Sequence, residues 1–156
     1  MRGREMGKTI VGLMMAAIAA SPNLLAAQET GEAPLALRAT DASLKWGPCP
    51  SVFPGACELA VVRGNPAKPN ADVMLRVAPA YELPRHRHNS AERMVLLEGK
   101  LEVEYDGADA ATLTPATYAY GPAALPHKAK CVSESPCTLF IAFEGPVDAE
   151  LVPTGR

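Results

Sequence analysis

Residues 84–99 read PRHRHNSAERMVLLEG. Two of the chain's three histidines stand here with one residue between them, and a glutamate follows after three more. On a β-strand, side chains at i and i+2 point to the same face, so His86 and His88 project together while Arg85 and Arg87 project away. If the chain then turns and runs back, Glu92, Met94 and Leu96 share one face of the next strand. Should that face be inward, two imidazoles and a carboxylate meet inside the fold, a donor set suited to a divalent cation of the first transition row. The plain alternative is a solvated histidine pair in a loop rich in Pro and Arg.

The rest of the chain has the same extended character. ELAVVR, DVMLRVA, RMVLLE, KLEVEYD, TYAYG and TLFIAF are short apolar or alternating runs cut by Pro and Gly, and they read as strands. No stretch after residue 27 keeps a helical period for ten residues, and fifteen prolines argue against long helices. Leu101, Val103 and Tyr105 alternate with Glu102, Glu104 and Asp106, so one face of that strand is buried and the other faces water. RMVLLEGKLEVEY is expected to be a hairpin turning at Glu98, Gly99 and Lys100. Short strands separated by turn signals predict an all-β sandwich or barrel, and no internal repeat points to a second domain.

With 156 residues, 48% hydrophobic and 21% charged, the chain has the composition of one globular domain. A net charge of −2 and the lack of a basic run beyond the extreme N-terminus give no reason to expect nucleic acid as a partner. MRGREMGK, the apolar run TIVGLMMAAIAA and the small residues up to Ala27 read as a secretory signal peptide over residues 1–27, with an uncleaved anchor as the alternative. Its removal would leave 12 basic and 16 acidic residues, and no membrane contact is expected afterwards. Residues 28–45 are expected to form a flexible N-terminal segment, 46–150 the folded domain and 151–156 a C-terminal tail.

Export to the periplasm or beyond changes the reading of the cysteines. Cys49 and Cys57 bracket one short loop, Cys131 and Cys137 another, and an oxidising compartment favours two local disulfides among the three connectivities that four cysteines allow. A cysteine metal site is the competing idea, but neither spacing is that of a zinc knuckle.

HRHNSAERMVLLEG resembles the first motif of the cupin superfamily: His-x-His, three residues, Glu, six residues, Gly, on His86, His88, Glu92 and Gly99. A second motif is matched by YGPAALPHKAK, in which Pro122 precedes His127 by five residues. Ala80 and Ala124 stand where the motifs have glycine, and Cys131 where the second has asparagine. The resemblance, to a group of small secreted single-domain cupins, covers most of residues 44–147. It implies a small antiparallel jelly-roll β-barrel with one metal held by His86, His88, Glu92 and His127, and a homodimer is expected by analogy with such barrels.

The donor types do not choose between Zn, Mn, Fe, Cu and Ni. No arginine pair marks the N-terminus for export in folded form, so metal loading after translocation is expected, which places zinc, copper and manganese level with iron. An open coordination position would admit a small-molecule substrate. The expected chemistry is that of a dioxygenase-type oxidoreductase, or of an isomerase or lyase working through a metal-bound enolate. A non-catalytic module binding a metal or small ligand, as sensor or carrier, and a structural barrel are the rival classes. Tyr81, Tyr118 and Tyr120 lie near the motif strands and are candidates for acid or base, against the ordinary role of a ring in the core with its hydroxyl at the surface. Met94 and Leu96 are expected to line an apolar pocket beside the metal.

Overall fold

The computed structural model describes residues 33–153. The signal peptide expected over residues 1–27 lies outside them. Eleven strands and no helix occur among the described residues: β1 (Trp46–Pro48), β2 (Cys57–Arg63), β3 (Ala71–Val77), β4 (Glu82–Arg87), β5 (Glu92–Glu98), β6 (Leu101–Tyr105), β7 (Ala111–Leu113), β8 (Tyr118–Gly121), β9 (His127–Cys131), β10 (Cys137–Phe143) and β11 (Glu150–Leu151).

They form two antiparallel sheets, one in the order β1-β2-β3-β10-β5-β8 and the other β11-β4-β9-β6-β7. The main core lies between them. Val73, Val77, Leu96, Leu139 and Ile141 come from the six-stranded sheet, and Leu83, Leu101, Val103 and Leu113 from the five-stranded one. The two ladders are not hydrogen-bonded into a closed barrel, so the jelly roll is a sandwich.

The expected hairpin of RMVLLEGKLEVEY does not form. β5 pairs with β10 and β8, while β6 pairs with β9 and β7, and Gly99 and Lys100 carry the chain from one sheet to the other. Alternation could not reveal this, because an arch between facing sheets buries the same set as a hairpin: Glu92, Met94 and Leu96, then Leu101 and Val103. The arch does require glycine. Gly99 has φ +86°, and a β-carbon there would stand 2.7 Å from the Pro136 carbonyl oxygen and 2.9 Å from Cys137 Cα.

Two disulfides, Cys49–Cys57 and Cys131–Cys137, join the local pairs. By loop-closure entropy each is worth about 2–3 kcal/mol. The stretch read as a flexible segment up to residue 45 contributes to packing from Leu37 onward. Leu37, Ala39 and buried Leu44 cover Ala60, Met74 and Phe140, which alternation turns to the outer face of the six-stranded sheet.

Ala80 and Ala124 adopt the left-handed conformation, with φ of 63° and 61°. The backbone thus keeps the conformation for which glycine serves at these motif positions, and the methyl groups strain it. Ala80→Gly and Ala124→Gly are each expected to stabilise the fold by about 1 kcal/mol, net of glycine's greater unfolded-state entropy. Urea denaturation checks this, and a loss of stability in both variants would contradict it.

Candidate metal centre

The site forms at one end of the sandwich, where the sheets face each other. His86 on β4 is the cross-strand partner of His127 on β9, so two imidazoles meet side by side. His88 follows one residue beyond β4, and Glu92 opens β5 in the opposite sheet. All four are buried, with relative exposures of 3% for His86, 7% for His88, 2% for Glu92 and 5% for His127. Ligand-capable atoms of the three histidines lie within 4.8 Å of one another. Glu92 reaches two of them, Oε2 at 3.6 Å from His88 Nε2 and Oε1 at 3.4 Å from His127 Nε2.

Each imidazole is oriented through its other nitrogen. His86 Nδ1 donates to the Pro84 carbonyl at 2.6 Å, His127 Nδ1 to the Leu125 carbonyl at 3.3 Å, and His88 Nδ1 to the Asp148 carbonyl. A carbonyl can only accept, so these bonds put the proton on Nδ1 and leave the Nε2 lone pair free, the state that a metal requires. Ring contacts hold the set further: Phe53 meets His86 edge-on at 4.6 Å, and Phe143 meets His88 at 5.4 Å.

Glu92 Oε1 is buried without a hydrogen-bond partner, as is the hydroxyl of Tyr105. Tyr105, on β6, is the cross-strand partner of His127, and its ring lies 4.8 Å from that imidazole. Both orphaned oxygens converge on Gly121. A β-carbon there would stand 2.8 Å from Glu92 Oε1 and 2.8 Å from Tyr105 Oη. Glycine at this inward position of β8 is what makes room for the carboxylate. The donor set, the free Nε2 atoms and the orphaned carboxylate oxygen together fit a divalent cation.

The tyrosine candidates are placed elsewhere. Tyr118 and Tyr120 are 59% and 49% exposed, because alternation along β8 turns Ala119 and Gly121 inward. Tyr81 packs against the core and its hydroxyl donates to the Pro54 carbonyl at 2.8 Å. Tyr105 is the tyrosine at the site, and the signal for it was its place with Leu101 and Val103 on the buried face. Met94 lines the cavity beside the histidines, whereas Leu96, two residues deeper along β5, is fully buried core. Arg85 and Arg87 point away, paired with Asp106 and Glu150.

The family model of the ChrR cupin-like domain matches residues 36–148. No curated protein matches the chain by sequence. Among solved structures, the DMSP lyase DddQ from Ruegeria pomeroyi DSS-3 is similar with TM-score 0.60 and 18% identity, over 72% of this chain and 64% of that one. KdgF from Halomonas sp. gives 0.52 and 17%, over 64% and 87%. Bacillus subtilis oxalate decarboxylase, which has Mn(II) centres, gives 0.51 and 22%, over 60% and 26%. The chain spans less than two thirds of the DMSP lyases, 63% and 64% of their length. At such identities the likeness is one of fold.

Burial lowers the pKa of His86 from 6.5 to about 3, with repulsion from His127 adding to it, and burial lowers that of His127 from 6.5 to about 4. In metal-free protein both rings are therefore neutral at pH 6, where the unfolded chain still binds protons. Stability rises with pH from about 4 to 6.5 and is lost as pH falls through that window, by up to about 1.4 kcal/mol per pH unit per histidine. Glu92 acts in the opposite sense above 4.5, because burial raises its pKa and the folded chain holds that proton longer. Denaturant unfolding of chelator-treated protein at pH 7 and 5 is expected to show the loss. It should be shallower in His86→Gln, which keeps Glu92, and equal profiles would contradict the assignment.

Proposed function

We propose, from the premise that the chain belongs to the cupin superfamily through its ChrR cupin-like domain, that it is a metal-dependent enzyme acting on a small oxygenated molecule. His86, His88 and His127 would hold one divalent transition metal by Nε2, with a carboxylate oxygen of Glu92 joining from the opposite sheet. The observation that carries this reading is that three buried imidazoles each give Nδ1 to a backbone carbonyl, which leaves Nε2 free, while ligand-capable atoms of all three lie within 4.8 Å of one another.

The metal would supply polarisation of a substrate oxygen. The chain's own residues supply the rest. The apolar walls exclude water, and whichever Glu92 oxygen does not join the metal is placed to meet a proton of the substrate. The reaction would be that of an isomerase or lyase, which moves a proton on carbon, or of a dioxygenase-type oxidoreductase. The similar structures include DMSP lyases, an oxalate decarboxylase and an oxalate oxidase, so both classes occur on this fold. Two disulfides fit an oxidising compartment, and export under the N-terminal signal is part of this reading. If the chain pairs with a second copy, edge strand β8, with exposed Tyr118 and Tyr120, is the face we assign to it.

Elemental analysis of protein isolated without added metal is expected to find about one equivalent of a single transition metal. His86→Ala and His127→Ala should lose it. Gly121→Ala, which crowds Glu92 without removing a donor, should weaken metal affinity by about 10- to 100-fold. Wild-type protein that takes up no ion from a series of divalent salts would overturn the reading.

A further inference from the structure

The cavity continues from the histidines into the sandwich, and its lining changes character along the way. At the mouth are the three imidazoles, Glu92 and Asp148. Phe53 stands beside His86, and farther along the strands the walls are Leu75, Leu101, Val103, Leu139 and Ile141. Leu101 and Leu139 stand four residues farther along β6 and β10 than Tyr105 and Phe143, which flank the site. At the strand rise the two levels are about 13 Å apart along the strands. No lysine or arginine lines the cavity among the described residues. Arg85, Arg87, Arg93 and Lys128, each next in sequence to a site residue, are tied outside it to Asp106, Glu150, Glu144 and Glu104.

We propose that this site takes a ligand with one oxygen-bearing head for the metal and a short, uncharged apolar body for the chamber, and that it rejects ligands with a second, distal carboxylate. The inference rests on the metal reading above and adds the substrate class. A head group meets imidazoles, a carboxylate and the ion. A body of methylenes meets only hydrocarbon and gains by leaving water. A distal carboxylate would be buried without any cation to pair with, and with Glu92 and Asp148 as its only charged neighbours, which is costly in an apolar interior.

The test uses the full chain loaded with Co(II), whose visible spectrum reports ligation at the ion itself. Cobalt content is measured first. Three probes share one chelating head: acetohydroxamate, butyrohydroxamate and succinic monohydroxamate. Two added methylenes should tighten butyrohydroxamate over acetohydroxamate by about 10-fold. Succinic monohydroxamate, of similar length but with a distal carboxylate, should bind at least about 100-fold more weakly than butyrohydroxamate. Retained cobalt with equal affinity for the three probes, or with the dianionic probe tightest, would overturn the substrate class and leave the metal site standing. Failure to hold cobalt at all would overturn both.

Discussion

The structure depends on three hydrogen bonds that fix three rings. Each site histidine gives its Nδ1 proton to a backbone carbonyl, from Pro84, Leu125 and Asp148, so the direction of each Nε2 is set by the main chain. Two of these carbonyls lie two residues before their histidine, which makes the orientation a local property of β4 and β9. The third comes from 60 residues away in sequence and depends on the C-terminal segment being in place. That segment is held by the outward side chains of the motif. Arg87 pairs with Glu150, Arg85 donates to the carbonyls of Val152 and Pro153, and Asn89 hydrogen-bonds Asp148. The alternation that sends His86 inward thus sends Arg85 and Arg87 outward to anchor the strap that orients His88.

Much of this was legible in the sequence, because it follows from alternation. His86 and His88 on one face, Glu92 and Met94 on another, and a buried stripe on β6 are period-2 statements, and the structure places these residues accordingly. The same period failed where two arrangements share it. A hairpin and an arch between facing sheets bury the same residues of β5 and β6, and only the ladder partners distinguish them. The tyrosines show a related limit. Nearness in sequence to the second motif singled out Tyr118 and Tyr120, but alternation turns Ala119 and Gly121 inward, and at Gly121 the Glu92 carboxylate fills the space a side chain would need. Tyr105, on the buried face, reaches the site through a cross-strand partnership with His127 that no local pattern encodes.

Departures from the motifs resolve in backbone terms. Ala80 and Ala124 keep the positive φ that glycine would adopt freely, so the turns survive at a cost in strain. Cys131, in place of asparagine, joins Cys137 in a disulfide, and the loop it closes packs against the Gly99 arch through Ser133 and the Lys100 backbone. The other disulfide closes the loop that sets Phe53 edge-on against His86. In both cases a covalent link fixes a contact on which the site depends, between elements that the sequence presents as unrelated.

The most direct test of this account is the tautomeric state of the three histidines in metal-free protein at neutral pH, read from the ring nitrogens by long-range proton–nitrogen correlation NMR. Free histidine in water favours the proton on Nε2. In this protein the reverse is expected, with His86, His88 and His127 all protonated on Nδ1 and bare at Nε2. Protonation at Nε2 in any of them would mean that its carbonyl bond does not hold in solution, and would contradict a site built in advance for a metal.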